Sequence, residues 1–232
     1  MDIWDDVIPD SDKEIYKAPG YRVDTSAGTR DFGDNPALLI IDVTYGFTGD
    51  KPEPVLKSQE RFPLSAGESA WKAIDQIAFL LPLAREKRIP IIYTVGEHTL
   101  PRKIWNRNPG SVKAWKSKIV NDIVREIAPL PGDIVIRKFA ASCFLQTPLV
   151  NVLIPLKVDT LLVCGGHTCG CVRASVVDAA LYGFTVGVIQ ECTFDRVEVS
   201  HKVNLFDMNS KYASVVSITQ AKEYLSKLTS KE

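Results

Sequence analysis

The chain carries no net charge: 28 basic residues balance 28 acidic ones over 232 positions. With no basic excess there is no electrostatic footprint for nucleic acid or an anionic lipid surface, so neither is expected as a partner. Long apolar runs are missing too. The longest, around Leu149 to Gly166, is interrupted by Pro155, Lys157 and Asp159, which argues against a spanning helix. The opening segment MDIWDDVIPDSDKEIY is acidic and lacks an apolar centre, so it is not read as a signal peptide. There is no internal repeat and no low-complexity linker. Paired C-x-x-C spacing is absent among the five cysteines. Cys164, Cys169 and Cys171 with His167 offer only a C-G-C step and one histidine, which argues against both a zinc knuckle and a dithiol redox site. His98 has no second histidine at a useful spacing and only the adjacent Glu97 as carboxylate, so it reads as a solvated or rim residue rather than a ligand. Free thiols in an unsecreted chain suggest a reducing, cytoplasmic setting.

What is present suits one large α/β domain. Apolar β-type runs occur at Ala37 to Val43, Ile89 to Val95, Asp133 to Lys138, Thr160 to Cys164 and Thr185 to Cys192. The first and fourth have almost no polar interruption, as strands buried on both faces require. Helical spacing alternates with them: Ser69 to Arg88, Ser111 to Ala128 with a Trp115, Ile119, Ile123 and Ile127 stripe, Leu149 to Pro155, the segment after Gly166, and Gln220 to Leu228. This alternation predicts a three-layer α/β/α domain, doubly wound around a mainly parallel sheet, over residues 36–232. Residues 1–35 are polar and weakly periodic. Trp4, Tyr16, Tyr21 and Phe32 are many aromatics for a free tail, so this arm is expected to pack on its own domain or on a neighbouring subunit.

In such folds, ligand-facing groups emerge from the carboxyl ends of the strands. Asp42 ends the first strand; a helix-capping or loop-tethering role is an equally common use of such a residue. Lys138 ends the third strand, where solvated charge is the ordinary reading. The fourth strand runs into Gly165 and Gly166, which permit a sharp turn, and then into an apolar helical pattern. Cys171 is expected in the first turn of that helix, where free N–H groups and the macrodipole favour a thiolate. It is the best nucleophile candidate. Cys143, Cys164 and Cys192 read as small core residues.

Asp42 with Phe47 after it, KFAASCFLQTPL from Lys138, GGHTCGCVRASVVDAALYGF from Gly165 and DRVEVSHKVNLFDMNSKYASV from Asp195 together resemble the isochorismatase-like cysteine hydrolases, most closely the N-carbamoylsarcosine amidohydrolase branch. The resemblance implies a catalytic triad of Asp42, Lys138 and Cys171. It also implies an oxyanion hole from the backbone N–H groups of His167 and Cys171, and a cis peptide between Gly166 and His167. TVGEHTL stands where the metal-dependent nicotinamidase branch has its Asp-x-His pair, so neither metal nor other cofactor is expected. Arg196 matches the carboxylate-binding arginine of the branch, although a salt bridge to Asp195 or Glu198 would occupy it equally well. Phe47, Trp105, Phe144 and Thr168 are the other candidate substrate contacts, and His201 reads as structural. The activity implied is hydrolysis of a linear C–N bond in a small amide or N-carbamoyl compound, with release of ammonia. Two alternatives stand beside it: a biuret- or triuret-type ureide hydrolase, whose substrate has no carboxylate, and a catalytically silent binding or scaffold homologue. A homodimer or homotetramer is expected.

Overall fold

The computed structural model describes residues 1–97 and 119–229. In chain order its helices are α1 (Asp10–Lys17), α2 (Tyr45–Thr48), α3 (Val55–Gln59), α4 (Glu68–Glu86), α5 (Leu149–Leu153), α6 (Arg173–Leu181), α7 (Glu198–Lys211) and α8 (Ile218–Lys227). Its strands are β1 (Pro36–Ile41), β2 (Ile91–Gly96), β3 (Ile134–Lys138), β4 (Thr160–Gly166), β5 (Thr185–Phe194) and β6 (Ser214–Val216). None of these helices is long and apolar enough to cross a membrane.

The strands form one sheet in the order β3-β2-β1-β4-β5-β6, and every neighbouring pair is parallel. β1 and β4 sit at the centre and are buried along their whole length, as their uninterrupted apolar sequences require. Successive side chains of β1 point to opposite faces. Leu38 and Ile40 join Ile74, Ile77 and Leu80 of α4 and Leu225 of α8 on one face. Leu39 and Ile41 join Leu149 and Leu153 of α5, Val176 of α6 and Leu205 of α7 on the other. The result is a doubly wound α/β/α sandwich. The winding reverses between β1 and β4, so the carboxyl ends of these two strands flank the crevice where such folds bind ligands. Gly165 sits in that crevice wall at φ 105, and a Cβ there would strike the carbonyl of Ile41. Only glycine lets β4 approach β1 so closely at this point.

The arm packs on its own domain. Trp4 is fully buried, donates its indole N–H to the Val23 carbonyl at 3.2 Å and meets the Phe206 ring edge-on at 5.7 Å. Tyr16 meets the same ring at 5.1 Å. Burying an aromatic side chain of roughly 200 Å² contributes about 5 kcal/mol, enough to offset the ordering of several arm residues.

The helix expected over Ser111 to Ala128 is not what its described part forms. Residues 119–128 make turns and a single 3-10 turn, Arg125–Ile127. Here the Val124 N–H bonds the Val43 carbonyl, and Thr44 bridges Ile123 in antiparallel fashion. These backbone groups are committed to the rim beyond β1 rather than to a helical ladder. Ile127 is buried and Ile123 partly so, while Ile119 is exposed; Trp115 lies outside the described residues.

Candidate active site

Asp42 follows β1 directly, with φ 52 in the left-handed region. That region is costly for most residues and less so for aspartate. Its amide N–H bonds the Thr94 carbonyl at 3.2 Å. This holds the carboxylate at the end of the sheet, where it is almost entirely buried. Thr94 lies on β2 beside Ile41 in the parallel register, and its hydroxyl donates to Asp42 Oδ1 at 2.9 Å. Lys138 ends β3, one strand further out. Its Nζ reaches Asp42 Oδ2 at 2.5 Å and donates to the carbonyls of Ala140 and Ala141 at 3.0 and 3.1 Å. Both charges of the pair are buried. Burial works against the Lys138 charge, but Asp42 and the Cys171 sulfur outweigh it and hold the ammonium's pKa above its usual value.

The third group comes from the other half of the sheet. After β4, Thr168–Val172 forms one π-helical turn, closed by a bond from the Val172 N–H to the His167 carbonyl, and α6 begins only at Arg173. Cys171 is therefore on a wide turn before the helix, not in the helix's first turn. Its thiol is buried and within hydrogen-bonding reach of both Asp42 and Lys138. Burial first and the Asp42 charge second push its pKa up to about 12, with Lys138 opposing. The expectation that this position favours a thiolate is thus corrected: the resting sulfur is a neutral thiol with a carboxylate beside it.

The peptide between Gly166 and His167 is cis. The His167 ring is buried edge-on against Phe47 at 5.0 Å and Phe194 at 5.8 Å, and its Nε2 has no hydrogen-bond partner among the described residues. Burial, reinforced by the Arg196 charge, lowers its pKa to about 4, so the ring is neutral at pH 7. Three N–H groups of the turn are committed. Cys169 donates to Asp195 Oδ2 at 2.8 Å, while Gly170 and Val172 donate to the His167 carbonyl.

The other sequence candidates divide. Phe47, on α2, packs against the His167 ring at the start of the turn that carries Cys171. Phe144 does not. It stacks on Tyr182 at 5.4 Å and packs near Phe184, because the Cys143 N–H bonds Ser175 and Ser142 bonds Asp178, both on α6. Those bonds draw the segment after β3 down the helical layer toward the far end of the sheet. The Thr168 hydroxyl is turned inward. It is buried and shared between the Phe194 carbonyl at 3.0 Å and His201 Nδ1 at 2.7 Å. Arg196 lies in the loop from β5 to α7 and forms no ion pair with Asp195 or Glu198 among the described residues. It borders a cavity of about 400 Å³ with Ser69, Lys72, Phe194 and His201, which none of Asp42, Lys138 and Cys171 lines. Trp105 and His98 lie outside the described residues.

Sequence reading misses Thr94 and Asp195. Thr94 is accessible in principle, since it is a hydroxyl within two residues of the end of the strand beside β1; nothing in the sequence marks Asp195 as the acceptor for Cys169. Among the described residues, no three His, Cys, Asp or Glu side chains converge as a bound metal ion requires.

Comparison with known proteins adds four findings. Residues 36–220 match the isochorismatase domain. The chain is 35% identical over 203 residues to maleamate amidohydrolase from Pseudomonas putida, covering 84% of this chain and 88% of that one. It is 30% identical over 211 residues to N-carbamoylsarcosine amidase from Arthrobacter, covering 85% and 74%. Among solved structures, an isochorismatase family protein from Desulfovibrio vulgaris superposes with a TM-score of 0.72 at 25% identity, covering 84% of this chain and all of that one.

Proposed function

The chain belongs to the isochorismatase family, and we propose that it is a cysteine-dependent amidohydrolase that cleaves a small amide or N-carbamoyl compound and releases ammonia. One observation carries this reading: the buried Asp42 carboxylate, held by Lys138 and Thr94, lies against the Cys171 thiol. A thiol with a raised pKa is a poor nucleophile on its own and must lose its proton as it attacks. Asp42 is the group positioned to take it.

In the first step the Cys171 sulfur bonds to the amide carbonyl carbon while its proton passes to Asp42. The carbonyl oxygen gains the negative charge and is met by the N–H groups of His167 and Cys171. The Cys169, Gly170 and Val172 N–H groups of the same turn are committed elsewhere. The C–N bond then breaks, and the nitrogen leaves as ammonia with the proton from Asp42. Water attacks the resulting thioester, returning a proton through Asp42 to the sulfur. Lys138 holds Asp42 in place and oriented toward the thiol.

Both named relatives act on compounds that bear a carboxylate, which supports a substrate of that class with Arg196 as its anchor. One observation favours a second reading, a ureide without an acid group: Arg196 borders a cavity that the triad does not line. The test is ammonia release from maleamate, N-carbamoylsarcosine, nicotinamide, biuret and triuret, with the native protein and Cys171→Ala. Cysteine-dependent release from the acids, lost in Arg196→Met, supports the first reading. Release from biuret or triuret alone, unaffected by Arg196→Met, supports the second. Release by Cys171→Ala overturns both.

A further inference from the structure

The turn carrying Cys171 is braced from behind by groups that never touch the sulfur. Asp195 closes β5 and is buried. One of its oxygens accepts the Cys169 N–H at 2.8 Å and the other accepts the Arg196 N–H at 2.7 Å. Its own carbonyl accepts the Ser69 hydroxyl of α4 at 2.7 Å, which ties the loop to the opposite helical layer. The second brace starts at Thr168. A hydroxyl has one proton, and the Phe194 carbonyl can only accept, so Thr168 donates there and must accept from His201. His201, in the first turn of α7, therefore carries its proton on Nδ1. Thr168 and Cys169, the first two residues of the turn, are fixed in this way to the end of β5 and the start of α7.

We propose that Asp195 and His201 are positioning residues for Cys171, holding the wide turn so that its sulfur meets Asp42. The inference rests on Cys171 being the nucleophile. It explains why a carboxylate, and not an amide, stands at 195. Both its oxygens face N–H donors, and an asparagine would turn an NH₂ group onto one of them. Burial alone would raise the Asp195 pKa, but the hydrogen bonds from Cys169 and the nearby His167 and Arg196 groups outweigh it, so the acceptor stays ionised. A turn displaced by a fraction of an ångström would leave binding largely intact and damage the chemical step.

The experiment compares Asp195→Asn, His201→Phe and His201→Asn with the native protein, each first checked by circular dichroism for a folded state. Two rates are read: ammonia release, and alkylation of Cys171 by iodoacetamide, located by tandem mass spectrometry because Cys169 is on the same peptide. Alkylation needs no known substrate. Asp195→Asn and His201→Phe should each lower kcat by about 10- to 100-fold with KM changed less than about threefold, and slow Cys171 alkylation in parallel. His201→Asn, whose side-chain NH₂ can stand where Nδ1–H stood, should restore both rates. Thr168→Val against Thr168→Ser repeats the comparison from the other end of the brace, should His201→Phe fail to fold. Native kcat and alkylation in folded Asp195→Asn and Thr168→Val would overturn the proposal. So would a His201→Asn no better than His201→Phe. An active Cys171→Ala protein would instead overturn the nucleophile assignment beneath it.

Discussion

Lys138 Nζ lies 2.5 Å from Asp42 Oδ2 across the width of an intervening strand, and both side chains are withdrawn from solvent. Two buried charges of this kind are tolerated together and costly apart. Lys138→Met leaves the Asp42 carboxylate uncompensated and should lower stability by about 3–5 kcal/mol. The double variant Asp42→Asn/Lys138→Met should recover most of that loss while remaining inactive. Urea denaturation of the single and double variants, together with their ammonia release, checks both halves of the statement.

The high pKa of the Cys171 thiol bears on the pH profile. If the sulfur reacted only after free ionisation, kcat/KM would climb tenfold per pH unit through neutrality and beyond. With Asp42 taking the proton during attack, kcat/KM should stay nearly level between pH 6 and 8. Asp42→Asn should lose roughly 100- to 10,000-fold in kcat, the usual worth of a general base. A steep rise with pH in the native protein would contradict the role given to Asp42.

Thr94 offers a milder perturbation of the same carboxylate. Thr94→Val keeps the shape but deletes the hydroxyl on Asp42 Oδ1, and one hydrogen bond to a charged group is worth about 1.5–3 kcal/mol. A reduction of kcat by roughly tenfold is expected, with a melting temperature lower by roughly 3–12 °C. Steady-state kinetics beside a thermal melt measures it.

His167 makes stability depend on acid. Its pKa is about 4 in the folded chain against an ordinary value of 6.5. The unfolded chain therefore takes up a proton first as pH falls, and the stabilisation present above pH 6.5 is progressively lost down to about pH 4. Between pH 7 and pH 5 the loss through this ring amounts to roughly 2 kcal/mol. His167→Gln should flatten that part of the curve, read as the difference in urea midpoint between the two pH values. An unchanged slope would mean the ring is not the group responsible.

Trp4 links the arm to α7, so Trp4→Ala should cost about 3–5 kcal/mol of stability. The triad is built from other elements, and the specific activity of the folded fraction should be unaffected. Denaturation midpoints and active-site-normalised rates separate the two effects.

The convergence of Asp42, Lys138 and Cys171 is legible because strand ends are marked in sequence. Asp42 and Lys138 each close an apolar run, and the paired glycines before Cys171 announce a turn. The segments between elements are harder to read. Nearness to Lys138 in the chain points Phe144 to the pocket, but hydrogen bonds from Ser142 and Cys143 to α6 carry it elsewhere. The hydroxyl of Thr168 is adjacent to the site and points its bonding capacity the other way. α7 gives no amphipathic signal because Asn204, Asn209 and Ser210 are buried among its apolar residues, where side-chain bonds to Ser200, Asp24 and Phe206 satisfy them. β6 has three residues, too few for a period to register. In the segment before β3, backbone pairing to the rim beyond β1 prevails over an apolar helical spacing.

The reversal of winding between β1 and β4 divides the chemistry between two separately wound halves. The base, its cation and its hydroxyl partner all belong to β1, β2 and β3, while the thiol and its turn belong to β4 and its connection to α6. Neither half holds a reactive centre by itself. A chain still emerging from the ribosome, with its first three strands paired, carries a carboxylate with nothing to deprotonate, and its later cysteine remains an ordinary thiol until the central strands meet. On the proposed mechanism, transfer of the thiol proton to Asp42 is thus coupled to completion of the sheet.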